Sequence, residues 1–409
     1  MRILNINLHF FPDSLGGATV VAEKLAHGLT ALGHDVTNLY LSRRTAAQDF
    51  TAVPTPFGRA IAIHNSLPHP SNRFFNPAVA STMSEVTELI APDLIVVHAP
   101  QHMGIFDYFG NEAFLARSLI VAHDHFWTCQ QGFRVLPDGS ACHRAPGPEA
   151  CRGCAWHPGL SGAIRDAATR ILEGCARLIF PSAYIQGGYE AAFGRRFRHG
   201  LRIANPDRAE ALLAPSAIPA DLPGTEAGGD GVLRLGFMGG PGLSKGWDIV
   251  ERICKACGPA APVPARVYLF DAGRLLGRPW YGEPPRGARV TDAFHWSFAQ
   301  PVLSRLDAVL MPSRVRESYG LAAREALSAG KPCLLRPSGA LAELEGAPGV
   351  VTFDESANVA TLIAAVAEAA SRPPAPSAAA SPAGYARAIL AAFAGEDAGA
   401  PNCRPRAAA

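Results

Sequence analysis

Two stretches of this chain pass from an apolar strand through a glycine-rich loop into a helix, and that order constrains the fold more than any composition figure. The first runs from Arg2 to Phe10, through Phe11-Pro12-Asp13-Ser14-Leu15-Gly16-Gly17, into Ala18 to Leu32. There Val21, Leu25, Leu29 and Leu32 repeat with helical spacing, and Gly33 stands where a helix commonly stops. Val36 to Leu41 follows as a strand. The second runs from Leu233 to Met238, through the loop Gly239 to Gly246 with Lys245 in it, into Trp247 to Cys257. Strand, loop, helix and strand make a βαβ unit, which implies a parallel sheet with right-handed crossovers. The fold class is therefore α/β, and both glycine loops fall at the carboxyl ends of strands, where open α/β sheets bind ligands.

With 409 residues the chain exceeds one ordinary core, so two or three domains are expected. The expected division is residues 1–207, a linker at 208–230 rich in Ala, Pro, Gly and Asp, a second domain at 231–380, a terminal helix at 381–397 and a disordered tail at 398–409. A formal charge of +2 implies no nucleic-acid partner. No apolar run reaches membrane-spanning length, and the first residues read as a strand rather than a leader, so a cytoplasmic protein with reduced thiols is expected. The run Phe193 to Arg202 (FGRRFRHGLR) reads as a solvated helix end or as a peripheral contact with an anionic inner membrane face.

Leu94 to His98 and Leu119 to His123 are short apolar strands that each end on histidine, which puts two imidazoles at the sheet's carboxyl edge. Asp124, His125, Phe126 and Trp127 follow, a polar and aromatic group suited to a hydroxylated ligand. His102, Tyr108 and Phe109 are assigned no role. Cys129, Cys142, Cys151 and Cys154 share one Gly/Pro-rich loop; they read as a structural zinc site, with His143 and His157 as spare ligands, or else as reduced thiols or a labile disulfide. Cys254 and Cys257 lie within a helix and read as packing. Near the end of the second half, Ala308 to Met311 is a strand, Pro312-Ser313 a turn, and Glu317 and Glu325 bracket seven residues. Ser318 is an N-cap residue type, and Gly320 allows a close backbone approach at a helix N-terminus, which attracts phosphate. Two solvated glutamates would have the same spacing.

The segment DAVLMPSRVRESYGLAAREALSAGKPCLL resembles the donor-binding motif of glycosyltransferase family 4, an E-x7-E after a strand ending in Pro-Ser. FMGGPGLSKG is similar to that family's Gly-Arg and Lys-Gly loop, SLGGATVVAEKLAHGLTALGHDV to its glycine-pair helix opening, and RIANPD to the end of its first domain. AHDHFWTCQQGFRVLPDGSACHRAPGPEACRGC is similar to a His-Asp-aromatic stretch with trailing cysteines found in a subset of the family. The resemblance spans roughly residues 1–350. It implies the GT-B architecture, two Rossmann-like domains facing across a cleft, and a retaining transferase that takes a sugar from a UDP-, GDP- or ADP-sugar. The acceptor would be a glycan, a lipid-linked sugar or a small molecule, and no cofactor would be needed for catalysis. It implies that Glu325 binds the ribose, Glu317 the donor sugar, and the Ser318, Tyr319, Gly320 and Leu321 amides the diphosphate, with Lys245 as its counter-charge. Gly16 and Gly17 would admit the donor. His123 would stand beside the reacting sugar, with Asp124 serving the acceptor or orienting the histidine. One position departs from the family: Gly240 stands where it usually has Arg, so Arg314, Arg316 or Ser244 would have to supply the missing donor.

Overall fold

The computed structural model describes residues 1–396 apart from 65, 67, 139, 211–218, 220, 223–230, 259–260, 275–276 and 377–378. Most of the expected linker and all of the expected tail lie outside these residues. The chain forms two compact units: one takes Met1–Pro12, Ala18–Pro206 and the chain from Ser381, the other Asp13–Gly17 and Asp207–Ala380.

The first unit is built on eight strands: β1 (Arg2–Ile6), β2 (Asp35–Leu41), β3 (Phe50–Thr55), β4 (Gly58–Ile63), β5 (Leu94–Val97), β6 (Ser118–Val121), β7 (Arg177–Phe180) and β8 (Gly200–Arg202). Their order is β3-β4-β2-β1-β5-β6-β7-β8, and every pair is parallel except β3 with β4. β5 and β6 are buried along their whole length, the unbroken apolar pattern of strands covered on both faces. The antiparallel β3–β4 hairpin is not expected from the sequence pattern. Pro54 sits in β3, which lies at the sheet edge, where a missing N–H costs no ladder bond. β1 is shorter than read: Asn7 and Leu8 still bond to the Leu39 and Ala99 carbonyls, but from there the Asn7 side-chain amide donates to the His9 carbonyl, 2.5 Å away, and the chain turns into its loop. In the terminal helix Pro382–Ala394, Tyr385, Ile389 and Ala392 are buried. Gly28, in the helix Gly17–Ala31, makes room for it, since a Cβ there would strike the Pro382 carbonyl.

The second unit has six parallel strands, β9 (Leu233–Phe237), β10 (Ala265–Asp271), β11 (Ala288–Asp292), β12 (Ala308–Met311), β13 (Cys333–Leu335) and β14 (Val350–Thr352). Their order is β11-β10-β9-β12-β13-β14. β9 and β12 are neighbours, so the loops that leave their carboxyl ends are adjacent. This adjacency, which strand order alone decides, places the Lys245 loop beside the Glu317 loop.

Candidate functional site

In the second unit the loop after β9 is stitched to the loop after β12. Ser244 carbonyl accepts from the Arg314 and Val315 amides, each at 2.9 Å. Gly246, with φ 75°, packs so closely that a Cβ would meet the Pro312 carbonyl. Lys245 Nζ therefore reaches Glu317 Oε1 at 2.8 Å, and Ser313 Oγ donates to the same oxygen at 2.8 Å. The Glu317 backbone is held from the other side: its carbonyl accepts from Ala340 N at 2.8 Å and it bridges Gly339. Gly339 has φ 61° and ψ −134°, a conformation close to glycine's own, and a Cβ there would lie 2.6 Å from the Glu317 carbonyl oxygen.

The helix Leu321–Ser328 starts at Gly320, which is left-handed with φ 75°, so Ser318 does not cap it. A Cβ on Gly320 would collide with Leu341. The Tyr319 ring is buried; its hydroxyl donates to Asp207 Oδ2 at 2.8 Å, and the Arg324 guanidinium lies 4.3 Å from its centroid. Its side chain is thus a strut, which leaves its backbone as the part suited to a ligand. Leu321 opens the helix and Glu325 stands on it four residues further on, half-buried.

In the first unit His98 and His123 leave the ends of adjacent β5 and β6, and His98 Nδ1 lies 2.8 Å from His123 Nε2 with the rings stacked. One nitrogen donates and the other accepts, a contact that two neutral imidazoles can make. Burial, then the His123 neighbour, pushes His98 well below the usual range, and burial pushes His123 down to about 3. Asp124 does not orient His123: its Oδ2 accepts from Gln101 Nε2 and its Oδ1 from Phe126 N, each at 2.8 Å. His98 takes the orienting place, and strand order is what brings it there. Burial raises the Asp124 pKa against the opposing pull of the Phe126 amide, Arg73 and Gln101. Phe126 and Trp127 are buried among Phe74 and Phe106, so they are core rather than a ligand platform. Gly16, with φ 83°, and Gly17 are open: a Cβ on either would meet no atom closer than 4.0 Å.

No family model matches the chain, and no curated protein matches it. Solved structures do. A sucrose-phosphate synthase from Thermosynechococcus elongatus superposes with TM-score 0.56 at 14% identity, over 96% of this chain and 94% of that one. E. coli trehalose-6-phosphate synthase bound with UDP-2-fluoro glucose gives 0.57 at 12%, over 96% of both. Anabaena HepE in complex with UDP and glucose gives 0.57 at 18%, over 96% and 95%. The fold is GT-B.

Within this GT-B chain Gly240 has a distinct surrounding. A Cβ on Gly240 would lie 3.2 Å from Trp280 Cε3. Trp280 is held there by the buried Asp271 carboxylate at the end of β10, which accepts from the Trp280 amide at 3.0 Å and the Gly273 amide at 2.9 Å. Arg314 cannot replace the missing cation, because it is bound to Asp248 at 2.7 Å and to Glu355. Arg316 makes no ion pair among the described residues.

The cysteine loop is held by side chains that bond its backbone. Gln130 and Gln131 donate to the His157 and Cys154 carbonyls at 2.8 and 2.6 Å, and the buried Arg134 donates to those of Cys142 and Arg144 at 3.1 and 3.0 Å. Cys129, Cys142, Cys151 and Cys154 are half-buried free thiols. Burial, then the other three cysteines, raises the Cys154 pKa, so the four share one neighbourhood. Among the described residues, however, no three His, Cys, Asp or Glu side chains are arranged to hold a metal ion. Cys254 and Cys257 are buried in the second core, their thiols pushed up by burial to about 12 and about 11. In the run Phe193 to Arg202, Phe197 is buried, Arg195 pairs with Glu173, and Arg196 lies 4.0 Å from Glu190. No helix among the described residues is long and apolar enough to cross a membrane.

The buried imidazoles predict an acid-sensitive fold. Burial depresses His123 and, with Arg134, His125 to about 3, so the unfolded chain binds protons near pH 6.5 that these folded groups refuse. Stability is therefore full above about pH 6.5 and falls as pH drops towards 3, by about 1.4 kcal/mol per pH unit for each such imidazole. Thermal melts at pH 7 and pH 5 check this: Tm is expected to be lower at pH 5 and to recover part of the loss in His125→Gln.

Proposed function

We propose that this chain is a retaining glycosyltransferase of the family 4 type, moving a hexosyl group from a nucleotide-sugar donor to a hydroxyl of a glycan, lipid-linked or small-molecule acceptor. The observation that carries the reading is the 2.8 Å contact of Lys245 with Glu317 at the ends of adjacent strands, beside a helix that opens on left-handed Gly320. A cation and the amides at a helix start suit a diphosphate, and a carboxylate one loop away suits sugar hydroxyls. Donor diphosphate would draw Lys245 from Glu317, which keeps Ser313 and turns its other lone pairs to the sugar. Lys245 and the Ser318 to Leu321 amides would hold the charge that grows on the leaving phosphate, the term that lowers such barriers most. Glu325 would accept from the ribose hydroxyls.

Retention follows if the C1–O bond to phosphate breaks with its electron pair leaving on the diphosphate. The acceptor oxygen then bonds C1 on the same face, and its proton passes to the leaving phosphate oxygen. His123, kept neutral and oriented by His98, would hydrogen-bond the donor sugar, and Asp124, fixed by Gln101, would face the acceptor. The UDP and UDP-sugar complexes named for the structural neighbours make UDP-sugars the first donors to try.

A second reading, a nucleotide-sugar-binding protein without turnover, draws on Gly240 and on Arg314 being committed elsewhere. Thermal shift with UDP-, GDP- and ADP-sugars, followed by release of free nucleotide on turnover, separates the two. At least one donor is expected to raise Tm and be consumed; binding without consumption supports the second reading, and no binding by any donor overturns both.

The four cysteines are further proposed to bind a structural zinc, on their spacing and shared neighbourhood, which would require the thiols to draw together. Metal analysis of freshly purified, reduced protein is expected to give one zinc per chain; a value near zero overturns this.

A further inference from the structure

Two arginines and three histidines gather at the carboxyl edge of the first unit's sheet. His9 follows β1, Arg43 follows β2, and His98, Gln101 and His102 follow β5, while Arg73 precedes the helix Pro77–Ile90. Neither arginine has an ion-pair partner among the described residues, although Asp124 is near enough to raise the Arg73 pKa against its burial. Arg73 is half-buried in an aromatic sheath, its guanidinium 5.8 Å from the Phe74 and Phe126 centroids and 5.4 Å from that of Trp156. Its Nε has no hydrogen-bond partner. These groups act on one another: burial, then Arg43 and His102, push His9 down to about 4, and burial, then Arg73, pushes His102 to about 4.

Two further observations point to a ligand. His98 Nε2 and Gln101 Oε1 have no hydrogen-bond partner, on residues only 2% and 8% exposed, and protein interiors rarely leave such atoms unpaired. His102 also holds a left-handed backbone, φ 66°, that a non-glycine residue keeps only under constraint. The constraint is visible: its N–H donates to the Arg73 carbonyl at 2.9 Å, its Nδ1 lies 2.9 Å from Asn72 Oδ1, and its carbonyl accepts from Asn76 Nδ2 at 3.1 Å.

We propose that Arg43, Arg73, His9, His98, Gln101 and His102 form a subsite for an anionic, hydroxylated molecule. The two arginines hold its phosphate or carboxylate, His9 and His102 close the cradle, and His98 Nε2 and Gln101 Oε1 take its hydroxyls. Guanidinium forks match either anion with paired N–H bonds, and a half-buried cation without a partner gains most from one. Resting on the transferase reading, this molecule is the sugar acceptor.

Calorimetric titration with UDP, glucose 6-phosphate, glucuronate and neutral glucose tests it on the full chain and on Arg43→Gln and Arg73→Gln. At least one anionic sugar is expected to bind tenfold or more tighter than glucose, and which one does so distinguishes phosphate from carboxylate. Each variant is expected to lose that binding tenfold or more while its UDP affinity stays within twofold of wild type. Arg43 lies outside the aromatic sheath, so its variant decides the matter if Arg73→Gln does not fold. UDP binding with no preference for either anionic sugar overturns the subsite, as do variants that bind like wild type. Failure of UDP to bind counts instead against the transferase reading, and arginine-dependent binding of an anionic sugar would then still uphold the subsite.

Discussion

Alanine at Gly339 is expected to destabilise the second unit by roughly 2–4 kcal/mol and to remove transfer activity, although residue 339 contacts no substrate in the proposed mechanism. Two costs add. Alanine must adopt φ 61° with ψ −134°, and its Cβ must fit 2.6 Å from the Glu317 carbonyl oxygen and 2.8 Å from the Glu317 amide nitrogen. Relief requires the Glu317 backbone to move, which breaks the 2.8 Å bond from Ala340 N and shifts the carboxylate away from Lys245. Gly346 is the control. It has φ 77° but open space around its Cβ position, so Gly346→Ala should cost only the backbone strain, about 1 kcal/mol. Thermal melts of the two variants, with nucleotide release at a temperature where both are folded, check the claim. Equal melting losses, or full activity in Gly339→Ala, would show that this glycine does not position Glu317.

Glu317→Ala should lower kcat by about 100-fold or more while changing stability by less than about 1 kcal/mol. The small stability cost follows from the surroundings: the Lys245 side chain is 44% exposed and stays solvated when its partner is removed. The large kinetic cost follows from the proposed contact with the donor sugar. Glu317→Gln divides the effect further, because it keeps an acceptor for Ser313 but loses the charge that pairs with Lys245. Glu325→Ala is expected to act mainly on donor KM, since a ribose contact is made equally in the ground and transition states. Normal turnover in Glu317→Ala would sink the site assignment.

The βαβ order and both glycine loops were legible because hydrophobic period and glycine placement are local properties, and local geometry answers to them directly. The histidines after β5 and β6 stood out at the ends of short apolar runs, whereas the E-x7-E and Lys245 stood out only by resemblance to a glycosyltransferase motif, since their spacing fits two solvated glutamates equally well. The β3–β4 hairpin was missed, because its Pro54 argues against a central strand and only an edge position tolerates it. Ser318 was misread as a cap, because a left-handed glycine two residues later could open the helix without a side chain.

By itself, the sequence determined that this is an α/β chain with parallel sheets, glycine loops at strand ends, and a lysine and two glutamates poised near them. Tertiary structure alone decided which of these residues meet. Placing β12 beside β9 brought Lys245 to Glu317 across 72 positions of chain, and placing β6 beside β5 gave His123 a histidine partner instead of Asp124. It also hid Phe126 and Trp127, covered Gly240 with Trp280, and left Arg43 and Arg73 without a salt bridge among the described residues. The reason is that periodicity specifies which face of an element is buried, whereas partners across a sheet edge are set by strand order, a property of the whole chain.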